Sequence, residues 1–178
     1  YFYRQVDGDD FGGSDRLEMF EFHTDWGNPA ASTFTGPSNI LTAAFESDLC
    51  GYFSFACIPQ PAPAVQELDP INEWPMWRLQ YRNFGSHEAM VGNFVVDVDG
   101  SDHAGIRWFE LRKSGGGAWS LYQQGTYAPE YPEATSFEHR WIGSIAMDKA
   151  GNIALAYSVS NSTDVFPSIR YAGRVKSD

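Results

Sequence analysis

The chain has 178 residues with 12 Lys plus Arg against 23 Asp plus Glu, a formal net charge of -11. Such an excess repels a phosphate backbone before any local contact forms, which argues against nucleic acid as a partner. A hydrophobic content of 43% with 13 Phe, 9 Tyr and 6 Trp is ample for a packed core, and no window reaches the roughly 18 to 20 continuous apolar residues of a membrane-spanning helix.

The chain opens on YFYRQVDGDD, with Tyr1 rather than an initiator methionine and with no basic and then apolar leader, as expected of a mature product or an excised fragment. Val6 and Asp7 lead into the acidic turn DGDDFGGSD, and LEMFEF at 17 to 22 then alternates apolar and polar residues as a half-buried strand requires. Residues 25 to 76 break the pattern. Their many Pro, Gly, Ser and Asn residues, in FTGPSN, PQPAPA and INEWP, predict an irregular insertion between two strands rather than strands of its own. The insertion contains CGYFSFAC, whose Cys50 and Cys57 leave three possibilities open: a disulfide, two free thiols, or part of a metal site. A disulfide is the first expectation, since a closed zinc site wants four ligands and no second pair or His cluster is near. Bridging would indicate an oxidising, secreted or extracytoplasmic setting.

WRLQYRNF at 77 to 84 is expected to complete the first unit as its third strand, and the same order then recurs. His87 leads through Gly92 into HEAMVGNFVVD, Val96 and Asp97 open the turn DVDGSD, IRWFEL at 106 to 111 repeats the character of LEMFEF, and WSLYQQGTY at 119 to 127 follows. The last repeat runs from His139 through Gly143 in HRWIGSIAMD to the turn DKAGN, to IALAYSVS, and to PSIRYAGRV at 167 to 175. Strands are therefore expected near 17 to 24, 90 to 97, 103 to 112, 118 to 126, 141 to 148, 152 to 160 and 167 to 175, in an all-β chain of about three antiparallel units. Radial stacking of such units is a β-propeller, and one domain over 1 to 178 is expected to hold about three blades. Propellers have four to eight, so a homo-oligomer or the missing blades of a longer parent chain would complete the ring.

GIRWFELR, WSLYQQGTYAP, HRWIGSIAMD, GNIALAYSVS and PSIRYAGR together resemble large secreted bacterial proteins with sialidase-like or related β-propeller domains. The resemblance implies a propeller and a secreted setting but no particular activity. Sialidases use an arginine triad, a Tyr nucleophile and an acid. Arg107, Arg140 and Arg170 do not map onto such a triad, and DKAGN lacks the Ser and Trp frame of the Asp-box turn.

Three groups of residues carry candidate chemistry. Asp7, Asp9, Asp10 and Asp15 in one turn, with Asp97, Asp99 and Asp102 in another, offer the hard oxygen ligands calcium takes, although Asp and Gly are also what hairpin turns require. His87 and His139, with Glu138 beside the second, could serve as general bases or ligands, or as structural residues that bond neighbouring backbone. Trp26, Trp74, Tyr127 and Tyr131, with Arg140, could bind a sugar or a protein surface, or pin loops to the sheet. Two functions follow: an extracellular recognition module that binds glycan or protein through its loop face, and a calcium-dependent hydrolase of a lactone, ester or glycoside. In either, the insertion, His87, His139 and the 128 to 138 loop are expected on one face and the acidic turns on the opposite one.

Overall fold

A computed structural model gives the architecture and describes residues 1–129 and 137–178. The elements are β1 (Phe2–Val6), a single helical turn α1 (Gly8–Phe11), β2 (Arg16–His23), β3 (Thr33–Leu41), β4 (Gln80–Asn83), β5 (Glu88–Asp97), β6 (Ala104–Lys113), β7 (Ser120–Tyr127), β8 (His139–Met147), β9 (Ile153–Ser160) and β10 (Ser168–Arg174). They form three antiparallel sheets, β1-β2-β3, β4-β5-β6-β7 and β8-β9-β10. The all-β reading and the seven expected strands hold.

Two assignments change. Residues 25 to 76 are not irregular throughout, because Thr33–Leu41 pairs along β2 as an edge strand. Only Ile40 of that strand is buried, so it carries almost no alternation to read. The segment 77 to 84 does not close the first sheet either: β4 pairs with β5, Gln80 opposite Val91 and Arg82 opposite Ala89, and gives the central sheet a fourth strand.

The central sheet lies between the other two. Ala89, Val91 and Val95 of β5 point to a core shared with Trp141, Ile145, Leu155 and Tyr157, while Met90, Phe94 and Val96 point to a second core with Leu17, Met19 and Ile40. Burial on both faces explains why β5 reads as a near-continuous apolar run. Glycine permits the closest approaches. A Cβ at Gly92 would lie 2.5 Å from Phe109 Cζ, and one at Gly143 would overlap Asn93 Oδ1. The outermost faces carry exposed apolar side chains, Phe2, Phe22 and Phe34 on the first sheet and Ile169 and Tyr171 on the third.

Strand direction corrects the expected equivalence of the acidic turns. β1 runs alongside β5, since Tyr3 Oη donates to the Asn93 carbonyl at 3.2 Å and Lys113, ion-paired to Glu88, donates to Tyr1 Oη at 3.2 Å. β8 runs the other way. The Met147 carbonyl at its end accepts from Gln80 and Arg82 of β4, whereas His139 at its start stands 5.6 Å from His103, just beyond the far end of β5. The Asp148 turn is therefore at the opposite end of the stack from the Asp7 and Asp97 turns.

Candidate functional site

Both acidic turns face the segment 43 to 50, which crosses them and donates backbone N–H groups to their carboxylates. Phe45 N donates to Asp15 at 2.6 Å, Ser47 N to Asp7 at 2.7 Å and Cys50 N to Asp102 at 2.6 Å. Glu46 pairs with Asp97 as an isolated antiparallel bridge. The insertion thus lies on the face of the acidic turns, contrary to the expected separation, because its backbone supplies the donors that their carboxylates need.

Most of these carboxylates are committed to their own turns. Asp97 accepts from the backbone of Asp99, Gly100, Asp102 and His103. Asp99 accepts from Ser101 N, Ser101 Oγ and His103 Nδ1, and those bonds, the Ser101 hydroxyl first, hold its carboxyl below the usual range. Asp97 and Asp99 therefore do the work of a hairpin turn, while the Asp102 carboxylate accepts from Cys50 N of the insertion. Asp15 caps Gly8 and Phe45 in the same way.

Asp7 and Glu46 also accept backbone N–H groups, but with Asp10 they converge on one point. One ligand oxygen from each lies within 4.8 Å of the others, and this is the one group of at least three candidate metal ligands among the described residues. The helical turn α1 produces it, since Asp7 caps that turn through Asp9 N and Asp10 follows within it. Tyr52 Oη donates to Asp10 Oδ2 at 2.8 Å and lies 2.8 Å from Ser47 Oγ. Burial raises the Glu46 carboxyl above its usual range; the Asp48 N–H opposes that shift, and the charges of Asp7, Asp10 and Asp48 add to it. Three carboxylates with hydroxyls beside them are a hard oxygen set that could hold a metal ion. Asp9 is not in the group.

The histidines part company. His87 stacks on Phe84 at 4.9 Å at the start of β5, far from the acidic turns. Opposite it, beyond the other end of β5, buried His103 places Nδ1 3.3 Å from Asp99 Oδ2 and Nε2 3.2 Å from the Glu138 carbonyl. His139 meets His103 edge-on, and Ala104 N donates to its Nδ1 at 3.4 Å. Burial, with His103 next in weight, pulls the His139 pKa down to about 4. Glu138 is buried and bonds Arg140 at 2.8 Å and Arg170 at 2.7 Å. Arg140 is only 1% exposed, so it is an interior ion-pair partner rather than a surface ligand contact. His103 follows directly on an Asp-Gly turn, the one signal in the sequence that marks it.

Against the Asp7 turn opens a cleft of about 620 Å³, lined by β1, α1 and the insertion. Phe11, Tyr52, Phe53 and Trp74 rim it, and Gln5, Asn72 and Glu73 contribute its polar wall. A Cys50–Cys57 disulfide joins the ends of the loop that carries Tyr52 and Phe53, and Glu73 Oε1 accepts from Phe53 N at 2.8 Å. Of the expected ligand-binding residues only Trp74 is here. Trp26 is highly exposed beyond the opposite end of β2, Tyr127 packs at 5.4 Å from Tyr157 between the second and third sheets, and Tyr131, like most of the 128 to 138 loop, lies outside the described residues.

Compared with protein-family models, with curated proteins and with solved structures, the chain matches none.

Proposed function

We propose that this chain is a recognition module of an extracellular protein and that it binds a glycan or a protein through the face where the insertion meets the acidic turns. The observation that carries the reading is the set of exposed aromatic side chains that line one cleft there, Phe11, Phe53 and Trp74, on backbone held by a disulfide and by carboxylate-to-backbone bonds. Large apolar side chains kept in water on a fixed scaffold have the makeup of a binding surface. A secreted setting is supported by the disulfide. The three stacked antiparallel sheets support reading them as blade-like units of a propeller, although the reversed direction of β8 departs from a regular ring, and the sialidase-like character rests on the sequence resemblance alone. The exposed aromatic and aliphatic side chains on the outermost sheets support a further blade or a second copy beside them.

Calcium at Asp7, Asp10 and Glu46 belongs to this reading as a structural ion, since it would tie the β1 turn to the insertion. A calcium-dependent hydrolase of a lactone, ester or glycoside is the second reading, and that acidic cluster is what favours it. His87 and His139 are not members of the cluster. The test is to probe the chain against glycan and extracellular-protein arrays with calcium and with chelator, and to assay lactone, ester and glycoside turnover alongside. Saturable binding without turnover is expected. Turnover abolished by chelator would replace recognition with hydrolysis.

A further inference from the structure

Resting on the recognition reading, we infer that the cleft beside the Asp7 turn takes a neutral sugar. Its rim consists of aromatic side chains held in solvent, Phe11 at 66%, Phe53 at 70% and Trp74 at 64% exposure. Aromatic faces of this kind stack on the apolar C–H face of a sugar ring.

Behind the rim the polar groups want donors. Asn72 is wholly buried; its Nδ2 donates to the Ser47 carbonyl at 3.0 Å, while its Oδ1 has no hydrogen-bond partner. Gln5 Oε1 is likewise buried without one. An amide oxygen left unpaired in a protein interior destabilises the fold, and a ligand donor removes that cost. Both side chains line the cleft but neither oxygen is accessible to water, so a ligand donor meets them only when the side chain turns outward, a movement that a small group demands least of. A hydroxyl fits that need better than an ammonium or guanidinium group.

Charge selects among sugars. The two arginines beside the cleft are spent on Glu18, Arg4 at 2.6 Å and Arg16 at 2.9 Å, and Glu73 adds a negative charge to the wall. On a chain of net charge -11 the pairing of both arginines to Glu18 weakens their hold on a carboxylate, so uronic and sialic acids are disfavoured. A cleft of about 620 Å³ has the volume of an ordinary small-ligand site.

The experiment is affinity electrophoresis of the intact chain in native gels containing arabinoxylan, β-glucan, galactomannan or polygalacturonate, followed by calorimetry with oligosaccharides of whichever polymer retards it. Trp74→Ala and Gln5→Leu are run in parallel, with thermal melting as the fold control. At least one neutral polymer is expected to retard the chain, with affinity at least tenfold weaker in Trp74→Ala at unchanged melting temperature and several-fold weaker in Gln5→Leu. Retardation by polygalacturonate alone, retardation by none of the four, or retardation that survives Trp74→Ala overturns the inference. If a protein from the extracellular array binds instead and Trp74→Ala abolishes that binding, the sugar assignment falls and the recognition reading stands. If neither sugars nor proteins bind, both fall.

Discussion

Ser47 N donates to Asp7 Oδ2 at 2.7 Å across 40 residues of sequence, and the same carboxylate takes the Ser47 hydroxyl at 3.2 Å and Asp9 N at 3.0 Å. Asp7 is 1% exposed, so these donors have little water to turn to if it is removed. Asp7→Ala is expected to cost about 3 kcal/mol in urea unfolding carried out with a chelator present. Asp7→Asn, which retains one acceptor oxygen, is expected to cost about half as much. Equal stability of wild type and Asp7→Ala would mean that the 43 to 50 segment is not held by this residue.

Stability should also depend on pH through His139. Its folded pKa of about 4 lies below the ordinary 6.5, so as pH falls the unfolded chain takes up the proton first. The contribution is therefore whole above about pH 6.5, lost progressively between 6.5 and 4, and spent below 4. With partial exposure of the ring allowed for, the loss is on the order of 2 kcal/mol. His139→Gln should flatten that part of the curve, measured as the difference between wild-type and variant unfolding free energies from pH 7.5 to 4. Parallel curves over the whole range would contradict the assignment.

Calcium should stabilise the chain through Glu46. If the ion binds Asp7, Asp10 and Glu46, then calcium at about 100 times its dissociation constant adds about 2.7 kcal/mol, a rise of roughly 5 to 10 °C in melting temperature for a chain of this size. Glu46→Gln should abolish the rise. In chelator the same change should raise the melting temperature slightly, because burial and three neighbouring acids disfavour the Glu46 charge. A calcium effect that persists in Glu46→Gln would place the ion elsewhere.

Gly143→Ala tests the contact between the second and third sheets. The new methyl would overlap Asn93 Oδ1 and come to 3.3 Å from Ile106 Cγ2. Asn93 is fully buried, so it has little room to yield. Overpacking of this kind costs about 1 to 3 kcal/mol, to be read from chemical unfolding. At Gly12, where nothing lies within 4 Å of a Cβ, the penalty should instead come from its φ of +80° and be smaller.

What can be read from residues alone follows burial. β5, β6, β8 and β9 have buried residues on at least every second position over most of their length, and their alternation or apolar runs locate them within a few residues. β3 is silent because TFTGPSNIL buries one side chain and contains Gly36 at φ 125° followed by Pro37. The Asp148 turn looks equivalent to the Asp97 turn because both cap their own backbone with one carboxylate, a local property that says nothing about strand direction. The acidic cluster is half legible. Asp7 and Asp10 stand out in DGDDFGGSD, whereas Glu46 is one of two acids in AAFESD, and only the Asp97 bridge and the Ser47 bond bring it to them. Asn72 and Gln5 leave no trace at all, since an unpaired amide oxygen is a property of packing.

The two hydrophobic clusters share the central sheet but little else. β5 contributes Ala89, Val91 and Val95 to one and Met90, Phe94 and Val96 to the other, and β6 likewise divides, with Ile106 in the first and Phe109 and Leu111 in the second. The third sheet can consequently detach and expose the first cluster while the second stays closed, and the first sheet can do the converse. Unfolding is then open to partial steps in which each outer sheet is a separate cooperative unit. Amide hydrogens of β9 and β10 should exchange at a rate set by the detachment of their own sheet, those of β1 to β3 at a different rate, and those of β5 and β6 only when the whole molecule opens. A destabilising change at Gly143 would accelerate exchange in the third sheet without altering the first.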